Sequence, residues 1–219
     1  MAFTEQAASA PATQFWRDRG SQDWARVLPS YWEAGAQPHR HAMLEAIRSL
    51  PRFDTLREIG CCAGTNLRMI RQNFPWINVE GTEISVEAAT FAQDKLKDDP
   101  GVRVVCTDLF VDAPLWADRE VDVALSVYTL AYVAPEEIMQ VLAHMLRSAG
   151  TGVIIVEPMH GPKGRIPVQY TAEWCHNYGD LITTILADDP RRADLNVGTL
   201  TTPVERCDGI VVVRFYDAS

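Results

Sequence analysis

A few glycines and acids in this chain have the types and spacing to hold a nucleoside-like ligand. The stretch LREIGCCAGTNL, residues 56–67, places Gly60 and Gly64 at a strand-to-helix crossing, where glycine lets a ligand approach the backbone and a helix start offers unpaired N–H groups to a negative group. About twenty residues on, VEGTEIS ends a strand with Glu83, whose carboxylate can accept both hydroxyls of a ribose. The next strand end carries Asp108, which with the backbone N–H of Leu109 can address the exocyclic amine and a ring nitrogen of adenine. Glu80 precedes its strand end and reads as a solvated edge or helix-facing group. Taken singly, the loop is equally a bare turn and Asp108 equally a helix cap. Together they describe ribose and adenine laid across adjacent strand ends.

Two neighbouring signals point elsewhere and fail. A dinucleotide loop needs glycine at its first, third and sixth places, which here hold Gly60, Cys62 and Thr65. Cys61 and Cys62 are adjacent rather than spaced C-x-x-C, with no second pair and no downstream histidine pair, so no metal is expected. Cys62 reads as a small, close-packed filler beneath the ligand.

The elements that must position these residues follow from periodicity. TLREIG, INVEGTE, VRVVCTD, VDVALSVY and TGVIIVEP are apolar, β-rich runs, and helical segments lie between them: TNLRMIRQNF, SVEAATFAQDKLK with Ser85 as cap, and PEEIMQVLAHMLRSAG. Such alternation predicts an α/β fold: a doubly wound, mainly parallel, seven-stranded Rossmann-like sheet with helices on both faces. Residues 170–187 read as one helix, and 195–216 as a C-terminal antiparallel hairpin turning at Asp208-Gly209. Ahead of the sheet runs a helical cap, 13–50, and a lid-like insertion is expected over 159–190, all within a single domain after a flexible tail, 1–12.

The composition narrows the partners. With 219 residues, 47% of them hydrophobic, the chain can bury a substantial core, and its net charge of −9 repels a nucleic acid. A small-molecule partner fits better, with no nucleic acid and no membrane; a homodimer is the assembly kept in view. Five cysteines without a disulfide framework suit a reducing cytoplasm.

Over roughly residues 30–160 these blocks resemble the class I S-adenosylmethionine-dependent methyltransferases of small-molecule type. Glu58, Gly60, Gly64 and Leu67 match the family's E-x-G-x-G-x-G loop, with Cys62 in place of the middle glycine. The resemblance implies methyl transfer from S-adenosyl-L-methionine to an oxygen or nitrogen by in-line displacement, with a cofactor set of Glu58, Gly60, Cys61, Cys62, Gly64, Asn66, Glu83, Ile84, Asp108, Leu109, Ser126 and Tyr128. The alternatives are a non-catalytic module that binds the same cofactor and a nucleic-acid methyltransferase. For proton transfer the candidates are His160 and His176, with His39 and His41 behind them. Tyr128 and a stripe of Tyr170, Trp174 and Tyr178, spaced i, i+4, i+8, are the candidate acceptor contacts, and the cap aromatics Trp24, Tyr31 and Trp32 face the same choice between packing and substrate contact.

Overall fold

The computed structural model describes Trp16 and residues 21–35, 37–112, 116–159, 164–167, 172–200 and 208–216. Two helices come first, α1 (Ser21–Glu33) and α2 (Pro38–Ser49), the second started by a proline at its first turn and burying Met43, Leu44, Ala46 and Ile47. Strands and helices then alternate: β1 (Thr55–Ile59), α3 (Thr65–Asn73), β2 (Asn78–Glu83), α4 (Val86–Leu96), β3 (Val102–Cys106), the short α5 (Leu109–Asp112), β4 (Val121–Val127), α6 (Ile138–Ser148) and β5 (Ala149–Pro158). A two-stranded ribbon of β6 (Gly164–Pro167) and β7 (Ala172–Cys175) follows, then α7 (Tyr178–Leu186), β8 (Arg192–Leu200) and β9 (Asp208–Tyr216).

The main sheet has the order β3-β2-β1-β4-β5-β9-β8, with β1 to β5 parallel and β9 antiparallel to both its neighbours. Strand alternation feeds two cores. From β5, Val153 and Ile155 pack with Leu142 and Met145 of α6 and Ile182 of α7, while Ile154 and Val156 pack with Met43 and Ile47 of α2 and Leu67 and Ile70 of α3. Chain order reverses between β1 and β4, so ligands are expected beyond the carboxyl ends of those strands.

Two sequence expectations are corrected. Residues 170–187 are not one helix: β7 pairs with β6, Trp174 opposite Arg165, and α7 begins only at Tyr178 behind the Asn177 cap. Aromatic spacing looked helical because the strand partner comes from another segment. Asp208-Gly209 is likewise not a turn but the start of β9, paired with Leu200 and Thr199, and the connection between the strands falls outside the described residues. Gly209 serves a close approach, since a Cβ there would lie 2.4 Å from the Met159 sulfur. The tail over 1–12 also lies outside the described residues.

Candidate active site

The loop after β1 is a run of left-handed backbone. Gly60 has φ +70°, Cys62 +47° and Gly64 +77°. A Cβ on Gly60 would lie 2.2 Å from the Thr129 hydroxyl oxygen, and one on Gly64, the cap of α3, 2.8 Å from Leu96 Cδ1. Both positions therefore exclude a side chain for packing reasons as well as for φ. Cys62 carries the same conformation with a side chain, and its amide donates to Glu83 Oε2 at 2.8 Å. The Ser85 amide donates to Glu83 Oε1 at 2.9 Å. These bonds clamp a buried carboxylate at the end of β2; burial pushes its pKa up, and the two amides pull it back. The expected filler role falls to Cys61, which is buried and whose thiol burial pushes well up, whereas Cys62 is half-buried.

Glu58, at the register opposite Gly81 and Leu125, is fully buried. Its Oε1 accepts from Asn66 Nδ2 at 2.6 Å, and Asn66 Oδ1 accepts from Arg40 Nε at 3.0 Å. Arg40 Nη1 also donates to the carbonyls of Ala34 and, at 3.0 Å, Gly35, so one guanidinium ties the α1–α2 connection to the glycine loop. Oε2 of Glu58 has no partner among the described residues. Burial pushes this carboxyl up to about 7, with Asn66 and Arg40 pulling down and Glu83 pushing up. HRHA reads as a solvated basic cluster in sequence; Arg40 instead is half-buried and wired to the loop.

Asp108 Oδ1 accepts from the Phe110 amide at 2.9 Å and caps α5, so the helix-cap reading holds at that residue, which also lines the cavity. Beyond β4 the chain turns sharply at Tyr128, φ +55°, into a 3-10 turn, Leu130–Tyr132. Glu157, at the end of β5, holds this turn: Oε1 accepts from the Ser126 hydroxyl at 2.6 Å and the amides of Thr129 and Leu130 at 2.8 and 2.9 Å, and Oε2 accepts from the Ala131 amide at 3.2 Å. Burial pushes its carboxyl up to about 7 against those four donors.

These elements enclose a cavity of about 300 Å³. Of the residues named from sequence, Gly60, Cys61, Cys62, Asn66, Glu83, Ile84, Asp108, Leu109 and Tyr128 line it. Glu58 and Gly64 stand behind the wall. Ser126 is corrected, because its buried hydroxyl is committed to Glu157. His176 is corrected as well: buried, with its Nε2 donating to the Val133 carbonyl at 2.9 Å, it supports the wall instead of reaching the cavity. Trp174 and Tyr178 do not line it; Tyr178 is buried in the core between α6 and the sheet. His160 and Tyr170 lie outside the described residues. Sequence reasoning missed Arg40, Thr129 and Tyr132, and placed Trp24, Tyr31 and His39 only as cap aromatics or weaker bases, yet all six line the cavity. The usable signal for Arg40 was its position two residues after the helix-starting Pro38.

Comparison with known proteins agrees with this fold. A family model described as a methyltransferase domain matches residues 57–152. No curated protein matches the sequence. Among solved structures, magnesium protoporphyrin IX methyltransferase from Synechocystis PCC 6803 with bound SAH is 18% identical, covering 94% of this chain and 99% of its own, with TM-score 0.66. The plantazolicin methyltransferase BpumL with SAH is 15% identical over 94% and 95%, TM-score 0.65. Geranyl diphosphate methyltransferase with GPP and sinefungin is 17% identical over 80% and 76%, TM-score 0.62. At these identities the likeness is one of fold.

Proposed function

We propose, from the premise that this chain is a class I S-adenosylmethionine-dependent methyltransferase carrying its methyltransferase domain at residues 57–152, that it methylates the oxygen or nitrogen of a small-molecule acceptor. The observation that carries the reading is Glu83: a clamped carboxylate lining the cavity beside a left-handed loop, one strand from Asp108. The residues fit the cofactor on a second count, since Glu58 Oε2, in β1 just before the loop, is a buried acceptor without a partner among the described residues. S-adenosyl-L-methionine supplies a methyl group already activated on a sulfonium, so the protein's task is alignment. Glu83 would hold the ribose hydroxyls, and Asp108 with the Leu109 amide the adenine. The chain Arg40–Asn66–Glu58 would hold the amino-acid end, Arg40 at the carboxylate and Glu58 on the ammonium side. A net charge of −9 favours a small acceptor over a nucleic acid. Cys61 and Cys106 are held in no disulfide among the described residues, and no helix among the described residues is long and apolar enough to cross a membrane.

Calorimetric titration with S-adenosylhomocysteine tests the reading: one site per chain is expected, and folded protein that takes up none would sink it. Turnover on a panel of small amines and hydroxyl compounds, set against oligonucleotides, tests the acceptor class.

Two variants probe the loop. Cys62→Gly relieves a side chain from left-handed backbone, so stability is expected to change by less than about 1 kcal/mol and affinity for S-adenosylhomocysteine to hold or rise. Loss of binding in that titration would give the thiol a role of its own. Glu58→Gln addresses pH. A carboxyl raised from 4.5 to about 7 contributes stability that is fully present below pH 4.5 and lost as pH rises through about 7. Glutamine removes that loss, so thermal melts without cofactor should show the variant gaining on the parent between pH 5 and pH 8, by on the order of 1–3 kcal/mol, while cofactor affinity falls. Equal pH slopes in the two proteins would show that Glu58 does not titrate in this window.

A further inference from the structure

The cofactor reading leaves one side of the cavity unassigned. Ribose and adenine fall at the ends of β2 and β3, whereas the wall beyond β1, on the β4 side, comes from outside the sheet: Trp16 from the cap, backed by Trp24, which is buried against Ala63 and Ala88, His39 from the start of α2, and Tyr128, Tyr132 and Val133 after β4. Its rings are paired. Trp16 meets Tyr132 edge-on at 5.2 Å and 69°, and Trp24 at 5.9 Å and 33°; His39 meets Tyr128 edge-on at 4.9 Å and 73°. We propose that this wall is the acceptor subsite, that it takes a planar aromatic alcohol of the phenol class, and that His39 receives the phenolic proton. The proposal rests on the methyltransferase reading above.

Three observations support it. The rings offer faces and edges, to which a flat π-system binds with a geometric preference that a saturated ligand lacks. The wall is rigid before anything binds. The Tyr132 hydroxyl donates to Glu173 of β7 at 3.1 Å, His176 holds the Val133 carbonyl, and Glu157 pins the intervening turn by three amides. Tyr128 keeps a left-handed backbone that costs a tyrosine about 1–2 kcal/mol, strain retained where it shapes the wall. Charge selects a neutral acceptor: Arg40, held by Asn66 and two carbonyls, is committed on the reading above to the cofactor's own carboxylate, and the carboxylates of Glu157 and Glu173 are turned into the support of the wall. A neutral hydroxyl, unlike a carboxylate, has a proton to lose, and among the described lining residues His39 is the histidine that can take it. In the step, the phenolic oxygen forms a bond to the methyl carbon, the carbon–sulfur bond breaks with its electron pair staying on sulfur, and the phenolic proton passes to the His39 imidazole, leaving an aryl methyl ether, S-adenosylhomocysteine and an imidazolium that returns its proton to water.

The test is calorimetry on the full chain saturated with S-adenosylhomocysteine, titrated in turn with 2-naphthol, its saturated analogue 2-decalol and 2-naphthoate. Naphthol should bind at one site, at least tenfold more tightly than decalol and no more weakly than naphthoate. Tyr132→Leu should weaken naphthol at least fivefold with S-adenosylhomocysteine affinity within twofold of the parent. Equal binding of naphthol and decalol, tighter binding of naphthoate, or no naphthol binding to the cofactor-loaded protein would overturn the acceptor proposal alone; failure of S-adenosylhomocysteine itself to bind would overturn it together with the cofactor reading. His39→Ala should keep naphthol affinity within threefold, lower turnover of it roughly a hundredfold with KM little changed, and recover in part with free imidazole. Unchanged turnover would remove His39 from the proton step.

Discussion

Glu157→Ala is expected to cost on the order of 4 kcal/mol of folding stability, a large share of the roughly 5–15 kcal/mol typical of a domain. The carboxylate is fully buried and accepts from one hydroxyl and three amides. Removing it leaves four donors in a place water does not reach, each costing about 1–3 kcal/mol if unmet, with relaxation of the turn recovering part. The same donors shape the cavity, because the Thr129 side chain lies where a Gly60 Cβ would go. Cofactor affinity should therefore fall along with stability. Urea denaturation reads the first effect as a lowered midpoint at constant slope, and calorimetry on protein still folded reads the second. Glu157→Gln, which keeps one acceptor oxygen, should fall between parent and alanine. A midpoint unchanged in the alanine variant would mean that the turn holds without its anchor. The pH sign runs with that of Glu58: a carboxyl raised to about 7 stabilises most below pH 4.5 and loses its contribution as pH climbs through 7, so the parent should melt at a lower temperature at pH 8 than at pH 5.

Glu83→Ala is expected to weaken S-adenosylhomocysteine binding at least about a hundredfold. Two ribose hydroxyls donating to a carboxylate contribute about 1.5–3 kcal/mol each, and 1.4 kcal/mol is a factor of ten. The buried site sharpens the effect, since the carboxylate is already oriented by the Cys62 and Ser85 amides and pays little to be organised on binding. Alanine also orphans those amides, so a loss of about 1–3 kcal/mol in stability should accompany the loss of affinity. Titration of the folded variant separates the two. Affinity within threefold of the parent would take Glu83 out of the cofactor site and leave it a clamp for the loop.

How much of the molecule is legible in its sequence depends on the range of the interaction. Strand periods, the Ser85 cap and the acids Glu83 and Asp108 follow from contacts within a few residues, or from the rule that ligands meet a parallel sheet at its carboxyl ends. Glu157 obeys that rule too, at the end of VIIVEP, and by it was legible without being singled out. Arg40 was not, because its partner Asn66 lies 26 residues away and the pair meets only when α2 folds across the glycine loop. Tyr132 and Glu173, 41 residues apart, depend on a ribbon whose second strand, taken alone, reads as a helix.

By itself the sequence determined the alternating sheet, the glycine loop of Gly60 and Gly64 at a strand-to-helix crossing, and the acids at the strand ends, since backbone sterics and period-two burial act locally and leave marks in residue type. Tertiary structure decided which side chains line the cavity. It turned His176 and Tyr178 into supports, brought His39 and Arg40 from the cap to the cavity, and set Cys61 rather than Cys62 into the core, because the position of a side chain relative to a distant one is settled by how helices and strands pack, which no local pattern encodes.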